Sequence, residues 1–128
     1  MTVRVLILAD NEIEQVVLKL VLAKLEAHAE IGGRGTDAVR LCEGYDAMIA
    51  DLASLDRSRL GLFRTIAERP SSNRPRLIAI TNDESKDERQ LCLELGFSAY
   101  IAKPYSLAAI RQALAIPPKE GDLHDGKD

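Results

Sequence analysis

The chain has no tryptophan, and aromatic residues make up only 4% of its 128 residues. Single-stranded nucleic acids are held largely by stacking on aromatic side chains, so a base-stacking surface is not expected. Positive charge is not in excess either: 17 Lys and Arg stand against 20 Asp and Glu, a net charge of -3. Phosphate backbones and anionic lipid surfaces recruit clustered basic residues, so neither partner is expected. No apolar run approaches the roughly 20 residues of a membrane-crossing helix. The stretch of residues 3–9, apolar but for Arg4, is too short for a signal peptide and lacks its cleavage pattern, and a cytoplasmic location is expected. Cysteine is scarce. Cys42 and Cys92 each fall inside a predicted helix and read as reduced packing residues. Neither has metal-ligand spacing with His28 or His124, to which no role is assigned. Gly32, Gly33 and Gly35 are not followed by the Gly-Lys-Ser/Thr of a phosphate-binding loop and read as a plain turn.

What the chain does have is a set of single polar residues, each at the end of a short apolar run. Asp10 follows Val3-Arg4-Val5-Leu6-Ile7-Leu8-Ala9, and Asp51 follows Ala47-Met48-Ile49-Ala50. Thr81 follows Leu77-Ile78-Ala79-Ile80, and Lys103, before Pro104, follows Ala99-Tyr100-Ile101-Ala102. Short apolar runs bounded by polar residues read as buried parallel strands. In an open parallel sheet the ligand crevice lies at the carboxyl ends of the strands. Two carboxylates, a hydroxyl and an ammonium would then meet at one rim. That set suits a divalent cation and a phosphoryl group.

Helical segments separate the strands. Asn11 caps a helix predicted to reach about residue 28, with Ile13, Val16, Val17, Leu20, Val21 and Leu25 as its sheet-facing stripe and Leu18 and Leu22 broadening it. A short second strand is predicted over residues 27–31, and a short helix over residues 37–43. After the third strand comes a polar loop over residues 54–59, then a helix over residues 60–68. The loop at residues 70–75 precedes the fourth strand. A charged helix is predicted over residues 83–95, ended by Gly96. Ser106 caps a last helix reaching about residue 115, and Pro117-Pro118 stops it. Five βα units with right-handed crossovers predict one α/β domain, a parallel sheet covered on both faces. Residues 1–116 make the domain. Residues 117–128 are polar, without apolar periodicity, and are expected to be a disordered tail.

The chain resembles the receiver domain of bacterial two-component response regulators over residues 3–115. The stretch Ile78-Ala79-Ile80-Thr81, then Cys92-Leu93-Glu94-Leu95-Gly96-Phe97-Ser98-Ala99-Tyr100-Ile101-Ala102-Lys103-Pro104, carries the likeness, together with Val5-Leu6-Ile7-Leu8-Ala9-Asp10-Asn11-Glu12. The resemblance implies the CheY-like, flavodoxin-like fold, a doubly wound (βα)5 with strand order 2-1-3-4-5. It implies that Asp51 accepts a phosphoryl group from a phosphohistidine on a histidine kinase or a histidine phosphotransfer protein. It implies Mg²⁺, held by Asp10, Asp51 and the backbone carbonyl of Ala53, with Lys103 on the phosphoryl oxygens. Thr81 and Tyr100 resemble the switch pair that would remodel a partner face made by the fourth helix, fifth strand and fifth helix. Catalysis would extend to the domain's own phosphorylation and dephosphorylation, with no metabolic reaction. The output would come through protein contact, from a stand-alone regulator or from a receiver within a larger protein such as a hybrid kinase.

Three departures from the family pattern stand out. Ala9 replaces the first of two acidic residues, one that usually acts through a metal-bound water, and such losses weaken metal sites about 10- to 100-fold. The loop after Asp51 lacks the usual proline and is about two residues longer. Asn82 stands where a small residue usually keeps the pocket open. Taken singly, Asp10, Asp51 and Thr81 also suit caps, Lys103 a solvated turn and Tyr100 a half-buried strand position. Their joint order and spacing favours the receiver. The departures keep a second reading open, a pseudo-receiver that binds a partner without phosphorylation. A dinucleotide-binding enzyme would need a glycine-rich turn after the first strand, and Ala9-Asp10-Asn11-Glu12 has none. An aspartyl-nucleophile phosphatase would want an Asp where Glu12 stands.

Overall fold

The computed structural model describes residues 2–32, 44–70, 74–82 and 84–116. Strands β1 (Arg4–Leu8), β2 (His28–Ile31), β3 (Ala47–Asp51), β4 (Arg76–Thr81) and β5 (Ala99–Ala102) form one sheet in the order β2-β1-β3-β4-β5. Every pairing is parallel. The parallel sheet is as the strand ends predict, and its order is the flavodoxin-like one that the family likeness implies. The described helices are α1 (Glu12–Lys24), α2 (Gly61–Ala67), α3 (Lys86–Leu95) and α4 (Leu107–Ala113). The helix expected over residues 37–43, with Cys42, and the tail expected over residues 117–128 lie outside the described residues. The predicted fourth and fifth helices are therefore α3 and α4.

Alternation along each strand divides the core in two. Leu6, Leu8, Met48 and Ala50 face α2 and α3, joining Phe63, Ile66, Cys92, Leu95 and Phe97. Val5, Ile7, Ile49, Ile78 and Ile80 face the other way, onto Leu18, Leu22 and Leu25 of the first helix and Ile110 of α4. The three inner strands are buried on both sides, which is why they read as unbroken apolar runs. Phe63 and Phe97 meet in a tilted pair, centroids 5.0 Å apart.

The expected caps hold α1 and α4: Asn11 accepts from the Glu14 amide and Ser106 from the Ala109 amide. α3 starts later than expected, because Ser85 caps it by accepting from the Glu88 amide. Gly96 ends α3 in the left-handed region, at φ 90°. A Cβ there would lie 2.3 Å from Ala67 Cβ, so α2 and α3 can approach only over a glycine. α1 stops at Lys24, short of residue 28, because His28 pairs with Arg4 at the start of β2.

One expectation about α1 is corrected. Of the expected stripe Leu25 is buried and Val21 packs partly on the core, but the centre of the buried face is Leu18 and Leu22, expected only to broaden it. Ile13, Val16, Val17 and Leu20 instead face solvent, with 75%, 56%, 38% and 62% of their surface exposed. The helix is apolar on nearly every side, so period alone could not choose its rotation on the sheet. Packing chose the leucine stripe.

Candidate functional site

Asp10, Asp51, Thr81 and Lys103 sit at the carboxyl rim, while Tyr100 lies within β5. Asp51 and Thr81 are the last residues of β3 and β4. Lys103 directly follows β5 and precedes a cis Lys103–Pro104 bond. Asp10 stands just beyond β1, ahead of the Asn11 cap. The rim borders an open cavity of about 350 Å³ lined by Asn11, Ile13, Glu14, Asp51, Ala53, Ser54, Asn82 and Lys103.

Asp51 is fully buried yet lines this cavity. Its carboxylate is satisfied from three directions. Lys103 Nζ lies 3.0 Å from Oδ1, the Ala53 amide donates to Oδ1 at 3.2 Å, and the Ser54 hydroxyl donates to Oδ2 at 2.9 Å. A buried carboxylate without such donors would be costly to keep charged. Here the acceptor ends a central strand, and its donors come from the loop that follows it and from the segment after β5.

Lys103 also meets Glu14, with Nζ 2.6 Å from Oε1. Tyr105 donates its hydroxyl to Glu14 Oε2 at 3.0 Å. Burial pulls the Lys103 ammonium down. Hydrogen bonds to Glu14 and Asp51, with the charges of both, outweigh it, and the net shift is upward from 10.5. Tyr105 is raised by burial first, then by the Glu14 charge and hydrogen bond. Sequence reasoning missed Glu14 and Tyr105. The available signal for Glu14 was its place in the first turn after the Asn11 cap, which puts its side chain near the rim.

Asp10 is held differently. Arg59 Nη1 lies 3.3 Å from Oδ1, and the Asp56 amide donates to Oδ2 at 3.2 Å. Both partners come from the loop predicted over residues 54–59, which contains a 3₁₀ turn at Arg57–Arg59. Asp10 is not among the residues lining the cavity. Thr81 is not among them either: it is buried, and its hydroxyl donates to Glu88 Oε2 at 3.3 Å. Tyr100 is half-buried, with the Arg89 guanidinium 5.3 Å from its ring centroid.

The donor chemistry fits a magnesium ion, since carboxylate and main-chain carbonyl oxygens are the hard ligands it takes. Asp51 and Ala53 border the same space, while Asp10 would have to release Arg59. Among the described residues no three His, Cys, Asp or Glu side chains gather closely enough to hold a metal by themselves. A carbonyl and waters would therefore have to complete the set.

No protein-family profile matches the chain. It is 28% identical over 132 residues to hybrid signal transduction histidine kinase K of Dictyostelium discoideum, covering 94% of this chain and 11% of that protein. The chain thus spans a small part of the curated relatives it matches. Among solved structures, the receiver domain of sensor histidine kinase PA1611 from Pseudomonas aeruginosa PAO1, with magnesium coordinated in its active-site cleft, superposes with a TM-score of 0.74. It is 28% identical, covering 89% of this chain and 95% of that one. The receiver domain of Ssk1 from Saccharomyces cerevisiae, crystallised with the phosphotransfer protein Ypd1, shares the fold with a TM-score of 0.72 and 24% identity, over 89% of this chain and 87% of that chain. No described helix is long and apolar enough to cross a membrane.

Proposed function

Taking this chain as a CheY-like receiver domain of two-component signalling, we propose that it accepts a phosphoryl group from a phosphohistidine onto Asp51. The carrying observation is the buried Asp51 carboxylate facing an open cavity with the Lys103 ammonium 3.0 Å away. A carboxylate oxygen of Asp51 forms the new bond to phosphorus. The donor's P–N bond breaks, and its electron pair leaves with the imidazole. Lys103 follows the phosphoryl oxygens and neutralises the charge that gathers on them. Magnesium, held by Asp10, Asp51 and the Ala53 carbonyl, would supply the remaining charge neutralisation.

The donor is a histidine kinase or a histidine phosphotransfer protein, met in the cytoplasm. Ile13 lines the cavity and begins the exposed stripe Ile13, Val16, Val17 and Leu20. A donor helix covering that stripe would bring its histidine to Asp51. Once the acyl phosphate exists, Thr81 exchanges Glu88 for a phosphoryl oxygen and Tyr100 moves into the vacated space. That biases the α3–β5–α4 face, where a downstream protein would read the state.

A second reading rests on a specific observation. Asp10 already has a cation, Arg59, and Ala9 leaves it without an acidic neighbour on its N-terminal side. A pseudo-receiver that docks partners without phosphorylation would look like this. Intact mass after incubation with Mg²⁺ and acetyl phosphate separates the two. One added phosphoryl group in the wild type and none in Asp51→Asn is the expected result. No addition at high Mg²⁺ would replace the phosphoacceptor reading with the pseudo-receiver.

A further inference from the structure

The loop after Asp51 grips both carboxylates of the rim. Ser54 Oγ accepts from the Asp10 amide at 3.1 Å and donates to Asp51 Oδ2 at 2.9 Å. Asp56 shapes the next turn, its Oδ1 accepting from the Ser58 amide and its carbonyl from the Arg59 amide. The same Asp56 gives its own amide to Asp10 Oδ2, and the turn delivers Arg59 to Oδ1. The Arg59 and Asp10 side chains keep only 18% and 10% of their surface exposed. This is a tucked-in pair, not a surface ion pair in full solvent.

We propose that Arg59 is a tethered counter-cation that competes with a divalent cation for Asp10. The proposal rests on the magnesium reading above. A guanidinium and a metal ion on one carboxylate would repel each other at short range. Binding of the ion therefore requires Arg59 to swing away and the 54–59 loop to loosen. Ala9 tilts the contest further, because an acid at that position would have favoured the doubly charged ion over the singly charged side chain. The loop thus offsets the Asp10 charge at rest and makes metal occupancy a conformational event.

The test is a titration of the folded chain with MgCl₂, followed by amide NMR shifts near Asp51, in wild type, Arg59→Ala and Arg59→Gln. Removing the competitor should tighten the apparent Kd by about threefold or more, the worth of a modest ion pair. In the wild type, saturation should also shift the Arg59 Nε–H resonance. Saturable binding with the same or weaker affinity in both variants overturns the competition and leaves the magnesium reading intact. No saturable response in any of the three chains overturns the magnesium reading, and the competition with it.

Discussion

Asp51 and Asp10 lie at the same rim and both take contacts from the loop after β3, yet different segments bring their cations. Asp51 ends a strand buried along its whole length, and its cation arrives from the segment after β5, two strands away in the sheet. Asp10 lies just past its strand, and its cation arrives from a loop. Strand-borne groups keep their positions because moving them disturbs the core. Loop-borne groups move at little cost. On the proposed function this is a division of labour: the sheet would present the phosphoryl acceptor ready-made, and the loop would decide when the cation ligand is free.

Replacing Lys103 by Met should break the strand-borne half most severely. It would leave Asp51 buried on the Ser54 hydroxyl and the Ala53 amide, with Glu14 close by. We expect unfolding free energy to fall by about 2 kcal/mol, read from urea denaturation. Phosphorylation by acetyl phosphate should slow by about 100-fold, as when a preplaced charge stabiliser is lost. Arg59→Ala, on the loop-borne side, should cost less than about 1 kcal/mol. Equal costs for the two variants would erase the contrast.

Glu14→Gln tests a finer point. Glu14 draws on the same ammonium as Asp51 and places a negative charge where an anionic phosphodonor must enter. With that charge gone, Asp51 is the carboxylate left on Lys103. The rate of mass gain with acetyl phosphate should rise by about threefold, while stability changes by less than about 1 kcal/mol. A slower rate would show that Glu14 holds Lys103 in position rather than diverting it.

The strand-end groups, Asp10 among them, were legible in the sequence, and the loop cation on Asp10 was not. Asp10, Asp51 and Thr81 announce themselves because a doubly buried strand must be apolar throughout, so the polar residue after its run marks the rim, and Lys103 ends the short apolar run of the edge strand β5 in the same way. Asn11, Gly96 and Ser106 were equally readable, because caps act on amides a few residues away. Arg59 had no such signal. Its partner is far off in sequence, and nothing local separates it from the neighbouring Arg57. The rotation of α1 was hidden for a related reason: a helix apolar on most sides carries its period but not its orientation. By period Ile13, Val16, Val17 and Leu20 read as core along with Leu25, but Leu18 and Leu22, read as the edge of that face, fill it with Leu25.

The smallest expected effect concerns alkaline pH and asks whether Lys103 stabilises through its charge. Its folded-state value lies above 10.5 because Glu14 and Asp51 together outweigh its burial. A raised value means that the folded chain keeps a proton the unfolded chain has begun to lose. The stabilisation is therefore complete below about pH 10.5 and is lost as pH rises through the folded-state value. Tyr105 is raised in the same direction, so its contribution also fades above its ordinary value of 10.0. With 23% of the Lys103 side chain exposed, solvent screens part of the effect. Urea midpoints of wild type and Lys103→Met should differ most at pH 8 and converge towards pH 11, with Tyr105→Phe in both backgrounds removing the tyrosine's share. A gap that stays constant would mean that the aliphatic stem of Lys103, not its ammonium, holds the strand-borne half together.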